Sequence, residues 1–502
     1  MSNINAFCKN IDIWTWIQNL PPLHQWKNNT ISTCICSSNS SISSPNLSLS
    51  ITRNVPTQSV TLSIFASFNL PLTLWTSKPL HPSPTSQNFL DEESTTYQLI
   101  SNLIQDVLKY SSTKHHHYPT KLPTINPTTL LKDFLNFSFL TLAFLVCIYE
   151  APNDLRSNCL ITLKDQLMTL QSRVTSKHLM RYLGSNIEEQ WMRCLSLAVT
   201  NWKMELKGMN LILKGRCPLF TYSFSTKGLW KVQVYCPIIT MEVENSSHSN
   251  VDEHLAFSLN YHQLEGVIQL NPIVTIREKW IDVNVNVDNL RLDVVRLVNE
   301  TLLNERGAGA SEKHFPSSIS VQLTPSCQTN IIGVTVTKSS NNPETGIEIE
   351  KSLEFSFDPP KSVGIQMTAG ETSSTTFKPW KFEQTAVGNT ARLNWSLYDS
   401  NGGREVFSSK PSPIKLIQPK AWFRHRYSNV DRPFTRHGGV VFARDEYGQS
   451  VCWRVDKGAV GKKLVWEICG CVGLTYWPNK FRTFYNETRK AEFSETLELV
   501  LG

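Results

Sequence analysis

The sequence predicts an α+β protein, mainly antiparallel β in sandwich or barrel form, with a helical layer inserted between N-terminal and C-terminal β segments. Three observations carry this. Apolar residues recur at every second position in the first eighty residues and again beyond residue 212, while from about 91 to 208 they recur every three or four. No helical stretches alternate with the later strands, which disfavours a parallel sheet. The chain therefore divides into an N-terminal β segment with a Ser/Pro-rich linker (1–90), a helical segment (91–211) and a C-terminal β domain (212–502).

In the first segment, "NTISTCICSS", "NLSLSIT" and "SVTLSIFASFNLPLTLWTSK" alternate apolar and polar residues, the period of half-buried strands, with "SSNSSISSPN" as a turn. They read as a small meander whose strands are expected to join the same β unit as the later ones. "PLHPSPTSQNF" and "TKHHHYPTKLPTINP" read as Pro-rich linkers. Between Asp133 and Glu150 lie sixteen uncharged residues, "FLNFSFLTLAFLVCIY". A spanning helix needs about 20 apolar residues, so this run is expected to be a buried central helix and not a membrane span.

The stretch "NDLRSNCLITLKDQLMTLQSRVTSKHLMRYLG" repeats at helical spacing and ends at Gly184. In the next helix Ser185 is the expected cap, with Glu188 reaching back to it, and Gly208 is the expected stop. Ile187, Trp191, Cys194, Ala198, Trp202 and Leu206 form its core face. Farther on, "KWIDVNVNVDNLRLDVV" sets Ile281, Val283, Val285 and Val287 against Asp282, Asn284, Asn286 and Asp288, one dry face and one wet. "ARLNWSLYDSNGGREVFSS" reads as two strands joined through an Asp399–Gly403 turn. "WKVQVYCP", "SISVQLTP", "IIGVTVTKSS", "GGVVFARD", "QSVCWRVD", "KKLVWEICGCVGLTYW" and "FSETLELVLG" supply further strands.

At 502 residues and 40% hydrophobic, the chain is long enough for two or three cores. Its net charge of +7 is spread thinly, unlike the concentrated basicity of a dedicated nucleic-acid binder. Twelve irregularly spaced cysteines do not make a disulfide ladder and read as reduced thiols. The first residues lack a basic start and a long apolar core, so the expected location is cytoplasm or nucleus. Without a signal, the N-x-S/T sequons at Asn28, Asn39, Asn46, Asn136, Asn245, Asn299, Asn394 and Asn486 carry no weight.

The stretches "WIDVNVNVDNLRLDV", "PWKFEQTAVGNTARLNWSLYDSNGGREVFSSKPSP" and "RPFTRHGGVVFARDEYGQSV…LTYWPNKFRTFYNETRKAEF" resemble those of a family of uncharacterised plant proteins of similar length. That family has no assigned activity. The resemblance implies a full-length protein of that kind and adds no catalytic residues.

No phosphate loop, dinucleotide fingerprint, nucleophile elbow or H-E-x-x-H helix occurs, which removes the commonest enzyme classes. Asp282, Asn284, Asn286 and Asp288 offer oxygens to a hard cation, but same-face residues on a strand stand about 6.6–6.8 Å apart, so a solvated face is expected. Cys34-x-Cys36 and Cys469-x-Cys471 place paired thiols on one side of a strand, a spacing unlike that of zinc sites. The tract His115, His116 and His117 sits in a linker and reads as a solvated loop. His262 with Glu265, and His425 or His437 near Asp431, are the polar clusters to test for nucleophilic chemistry, and hairpin turns explain the first equally. No metal and no cofactor is expected.

The most informative surface is C-terminal. Trp422, Arg424, Arg426, Tyr427, Arg432 and Arg436, then Tyr476, Trp477, Lys480, Arg482, Tyr485 and Arg489, interleave rings with cations over 421–437 and 474–493. Guanidinium groups bind carboxylate or phosphate and stack on rings, so these residues are the candidate ligand contacts for a protein, an acidic or phosphorylated ligand, or single-stranded nucleic acid. The bland alternative is that the rings anchor the last strands while Arg stems lie over them. The expected function is a non-enzymatic interaction or scaffold protein. The alternatives are a hydrolase or carbohydrate-active enzyme with a groove on the β domain, and a nucleic-acid binder.

Overall fold

Helix and strand follow the two periodicities, and they sort into two units. A computed structural model describes residues 12–37, 45–68, 70–82, 90, 92–111, 129–206, 219–246, 253–299, 312–341, 345–352, 370–377, 380–397, 439–446, 450–477 and 485–502. The first unit comprises Met1–Leu213, Cys217–Tyr222 and Leu297–Asn299; the second comprises Lys214–Arg216, Ser223–Arg296 and Glu300–Gly502. The whole is α+β with antiparallel sheets, as the alternation predicts.

In the first unit, β1 (Thr30–Ser37), β2 (Asn46–Asn54), β3 (Ser59–Ser67) and β4 (Leu72–Thr76) pair in sequence order, the expected meander. They form their own four-stranded sheet, against the expectation that they join the later strands. The reason is what covers their dry face. Leu47, Leu49, Ile51, Leu62 and Ile64 are buried, and helix α4 packs on β1 and β2. An alternating pattern fixes which face is apolar without fixing what lies on it.

Among the described residues six α-helices complete this unit: α1 (Ile13–Gln18), α2 (Glu93–Leu108), α3 (Thr129–Glu150), α4 (Asn153–Leu167), α5 (Leu170–Leu183) and α6 (Ser185–Glu205). The apolar run is the middle of α3, which packs against α1, α2, α4, α5 and α6. Leu142 through Cys147 are all 0% exposed, so this helix is apolar all round because it is surrounded. Counted from Leu130 to Glu150 it is long and apolar enough to cross a membrane, so the argument from length does not hold; burial is what marks it as a core helix.

On α6, Trp191, Cys194, Ala198 and Trp202 are buried as expected. The predicted cap is displaced by one residue. Gly184, at φ +81°, ends α5 and caps α6, Ser185 is already helical, and Glu188 is buried instead of reaching back. Gly208 lies outside the described residues. The Cys34/Cys36 pair is also corrected: the register shifts between these residues, leaving Cys34 exposed while Cys36 is buried. The bulge turns the two thiols to different surroundings.

Among its described residues the second unit is a sandwich of two seven-stranded antiparallel sheets with one short α-helix. Its elements in chain order are β5 (Thr221–Thr226, in this unit from Ser223), β6 (Leu229–Pro237), β7 (Glu242–Ser246), α7 (Glu253–Asn260), β8 (His262–Ile276), β9 (Trp280–Arg296), β10 (Phe315–Pro325), β11 (Ile331–Val336) and β12 (Ser340–Asn341). There follow β13 (Thr345–Ser352), β14 (Gly370–Phe377), β15 (Trp380–Val387), β16 (Thr390–Leu397), β17 (Gly439–Ala443), β18 (Val451–Asp456), β19 (Lys463–Tyr476) and β20 (Glu487–Val500). One sheet runs β12-β15-β16-β10-β19-β20-β7; the other runs β11-β18-β9-β8-β6-β5, with β17 also on β9. Strands β13 and β14 form a separate pair.

Indole rings fill the space between the sheets. Trp230 of β6 meets Trp466 of β19 at 5.3 Å, Trp453 of β18 meets Trp466 at 6.1 Å, and Phe442 of β17 lies 5.3 Å from Trp380 and 6.1 Å from Trp395. Such rings bury large areas and prefer tilted or edge contacts, the geometry of most of these pairs.

Ile281, Val283, Val285 and Val287 are buried as expected, but Gln269 pairs with Asn289 and Leu270 with Val287, so Asp288 bulges out. After it the inward phase moves to Leu290, Leu292 and Val294. The predicted row of four oxygens is therefore a row of three, and Asp282 already accepts from Arg277 Nε at 3.0 Å and Trp280 Nε1 at 2.9 Å. The Asp399–Gly403 turn lies outside the described residues, and β16 pairs instead with β15 across Gly388 at φ +59°.

Candidate functional site

Strands β19 and β20 form a hairpin in which Tyr476 faces Glu487, so the C-terminal aromatic segment straddles its closed end. Of the candidate contacts, Trp422, Arg424, Arg426, Tyr427, Arg432, Arg436, Lys480 and Arg482 lie outside the described residues, as do His115, His116, His117, His425, Asp431 and His437. The remaining four are placed by the hairpin. Tyr476 is 0% exposed, Trp477 and Tyr485 are half-buried, and Arg489 is 9% exposed.

Arg489 is engaged on all sides. Its Nε donates to Glu487 Oε1, its Nη1 to the Ile238 carbonyl at 2.8 Å and its Nη2 to Asn260 Oδ1 at 3.3 Å. Tyr485 donates its hydroxyl to Glu487 Oε2, and Tyr476 packs with Leu255 and Leu259 of α7. Lys490, next along the strand, is paired with Glu244 of β7. These described residues fasten the last strand to β7 and α7, which is the anchoring reading.

Two histidines complete the cluster. His314 is 0% exposed, with Nε2 3.4 Å from Glu487 Oε1, too long for a good hydrogen bond. His262 is also 0% exposed and its Nδ1 lies 3.4 Å from the Leu259 carbonyl; it does not pair with Glu265, which accepts from Gln263 Nε2 at 2.7 Å. Burial, with the neighbouring His314 acting in the same direction, lowers His262 to about 3. Burial likewise lowers His314 against the pull of Glu487. Burial alone would raise the Glu487 carboxyl, but His314 and Arg489 outweigh it and hold it well below the ordinary carboxylate range. Burial and Glu487 push the Tyr485 phenol upward.

A space open to a ligand lies elsewhere, in the first unit. Between α1, α3 and the start of α5 is a cleft of about 260 Å³ lined by Asp12, Asp133, Asn136, Phe137, Leu140, Gln166, Thr169, Gln171, Ser172 and Thr175. The sequence reading of 153–184 as one helical stretch missed the break that forms it. Met168 and Thr169 separate α4 from α5, and Thr169 Oγ1 accepts from the Ser172 amide at 3.3 Å. Thr is a favoured N-cap residue, and Thr169 was the available sequence clue.

The wall on the α1 side is pinned by charge. Lys132 Nζ lies 2.7 Å from Asp12 Oδ2, Asn136 Nδ2 donates to Asp12 Oδ1 at 3.1 Å, and the Trp14 amide donates to Asn136 Oδ1 at 3.0 Å. Burial would raise the Asp12 carboxyl, but the hydrogen bonds from Lys132, Thr15 and Asn136 outweigh it and keep the group ionised. Opposite, Gln171 Nε2 donates to Asp133 Oδ1 at 3.2 Å. Thr169 and Ser172 donate their hydroxyls to the Gln166 carbonyl at 2.9 and 2.8 Å. Gln166 is 8% exposed, and its Nε2 has no hydrogen-bond partner among the described residues. A buried amide donor left so costs about 1–3 kcal/mol, which a bound acceptor would recover. Among the described residues no group of three His, Cys, Asp or Glu side chains is placed to hold a metal ion.

No family model matches the chain, and no curated protein matches it. Among solved structures it is similar to Clostridium perfringens delta-toxin, at 12% identity over 55% of this chain and 94% of that chain, TM-score 0.22. It is similar also to the Clostridium perfringens NetB toxin in the membrane inserted form, at 12% identity over 56% of this chain and 93% of that chain, TM-score 0.19. Scores this low fall short of a shared fold.

Proposed function

We propose that the chain is a non-enzymatic binding protein whose helical unit holds a small polar molecule in the cleft between α1, α3 and α5. The observation that carries this is the buried Gln166 Nε2, a donor without a described protein partner in the wall of a cleft rich in polar groups. The lining is carboxylates, amides and hydroxyls over the apolar Phe137 and Leu140. Such a set of hydrogen-bonding groups over an apolar floor is suited to orienting a small ligand.

The test is thermal unfolding of the full chain against a panel of small polar compounds. A ligand present at 100 times its Kd stabilises the native state by about 2.7 kcal/mol and so raises the unfolding temperature. Ser172→Phe, which fills the cleft, should abolish the rise. A rise that persists unchanged in Ser172→Phe places the ligand elsewhere and sinks the proposal.

A further inference from the structure

Resting on that reading of the cleft, we propose that its ligand is a neutral, hydroxyl-rich molecule of monosaccharide size. At about 260 Å³ the space lies below the roughly 300–1,000 Å³ of drug-sized pockets, which suits one small ring. Of the two carboxylates in the wall, Asp12 is paired with Lys132 and bonded by Asn136, while Asp133 takes the neutral Gln171 amide on one oxygen.

What remains on offer is mixed. Gln166 Nε2 requires an acceptor. Thr169 and Ser172 direct their hydrogens to the Gln166 carbonyl; Thr169 Oγ1 already accepts the Ser172 amide and lies 3.0 Å from Ser172 Oγ, which leaves about one lone pair on each oxygen for a donor. A simple cation would suit Asp133 and those oxygens but leave Gln166 Nε2 unsatisfied. A simple anion would suit Gln166 yet sit beside Asp133. A hydroxyl both donates and accepts, so a polyol satisfies both sets without bringing a charge of its own, and Phe137 and Leu140 give its carbon face an apolar floor.

The experiment is isothermal titration calorimetry of the full chain with glucose, galactose, myo-inositol, mannitol, putrescine and inorganic phosphate, each at about 0.05 and 0.5 M NaCl. The expected result is one-site binding of at least one polyol, with Kd indifferent to salt because no charge is exchanged. Gln166→Met, close in size and without the donor, should weaken it about tenfold. If Gln166→Met also lowers the unfolding temperature, Asp133→Asn serves as the second variant and should weaken polyol binding in the same direction.

Salt-sensitive binding of putrescine or phosphate in place of the polyols overturns the ligand class and leaves the cleft as the binding site. No binding by any probe, or polyol binding that Gln166→Met, Asp133→Asn and Ser172→Phe all leave unchanged, overturns the cleft reading and this inference with it.

Discussion

The closed end of the β19/β20 hairpin and the α4/α5 break use polar groups differently. At the closed end of the β19/β20 hairpin, Glu487, Arg489, Asn260, Tyr485 and the Ile238 carbonyl meet one another, so charge is consumed in holding strands together. At the α4/α5 break, polar groups surround a space, and Gln166 keeps a donor for which the described residues supply no acceptor. An Arg-and-aromatic stretch that looks like a binding surface in sequence is thus an internal clamp where it is described, while an inconspicuous Thr/Gln/Ser turn borders the cleft. Density of charge marks a site poorly; unmet hydrogen-bonding capacity beside open volume marks it better.

The comparison is broken most sharply by removing the acid of the clamp. Glu487→Ala leaves the Arg489 guanidinium buried at 9% exposure without its carboxylate. Uncompensated buried charge costs about 3–5 kcal/mol, to be read as a fall in urea midpoint at constant slope. A loss below about 1 kcal/mol would mean that water reaches Arg489 and that the clamp is a surface feature.

Acid should find the same weak point. His262 has its pKa lowered from 6.5 to about 3 by folding, so between those values the unfolded chain binds a proton that the folded one refuses. Its stability contribution is complete above about pH 6.5 and is lost as pH falls toward 3. At pH 5 the deficit is about 1.5 pH units, or about 2 kcal/mol at 1.36 kcal/mol per unit. His314 acts in the same direction, and Glu487, held below its ordinary 4.5, adds a further loss as pH falls below that value. His262→Gln, which cannot take a proton, should flatten the slope between pH 7 and 5. An unchanged slope would assign the acid response to other groups.

Much of the architecture was legible because side-chain period records burial. The meander β1 to β4, the long strands β9, β19 and β20, and the buried face of α6 all derive from it. Partnership was not legible, since Leu49 and Ile51 declare an inward face and not whether helix or sheet will cover it. Single-residue phase slips were read through as well: the bulge at Cys34/Cys36 brings Cys36 inward, and that at Asp288 reverses the inward face of the residues after it, with no glycine to announce either change. The candidate site was hidden for a related reason. Asp12 and Asp133 stand far apart in sequence, each ordinary alone, and Gln166 gains meaning only from the absence of a described partner in space.

The smallest effect sharpens the comparison from the side of the cleft. Thr169 caps α5 by accepting from the Ser172 amide at 3.3 Å and donates to the Gln166 carbonyl at 2.9 Å, so it both ends one helix and starts the next. Thr169→Ala removes both bonds and should cost about 1 kcal/mol, the usual worth of a cap. Thr169→Ser keeps the hydroxyl and should recover nearly all of it. The consequence for binding should exceed that for stability, because a frayed first turn of α5 carries Gln171 and Ser172 away from Asp133 and the cleft. In the clamp the reverse holds: Glu487→Ala should cost stability heavily while leaving ligand affinity unchanged, provided the assay is run where the variant remains folded. If Thr169→Ala instead changes stability by less than about 0.5 kcal/mol, the level of an inert surface substitution, and leaves ligand affinity intact, then neither the helix break nor the cleft depends on this cap.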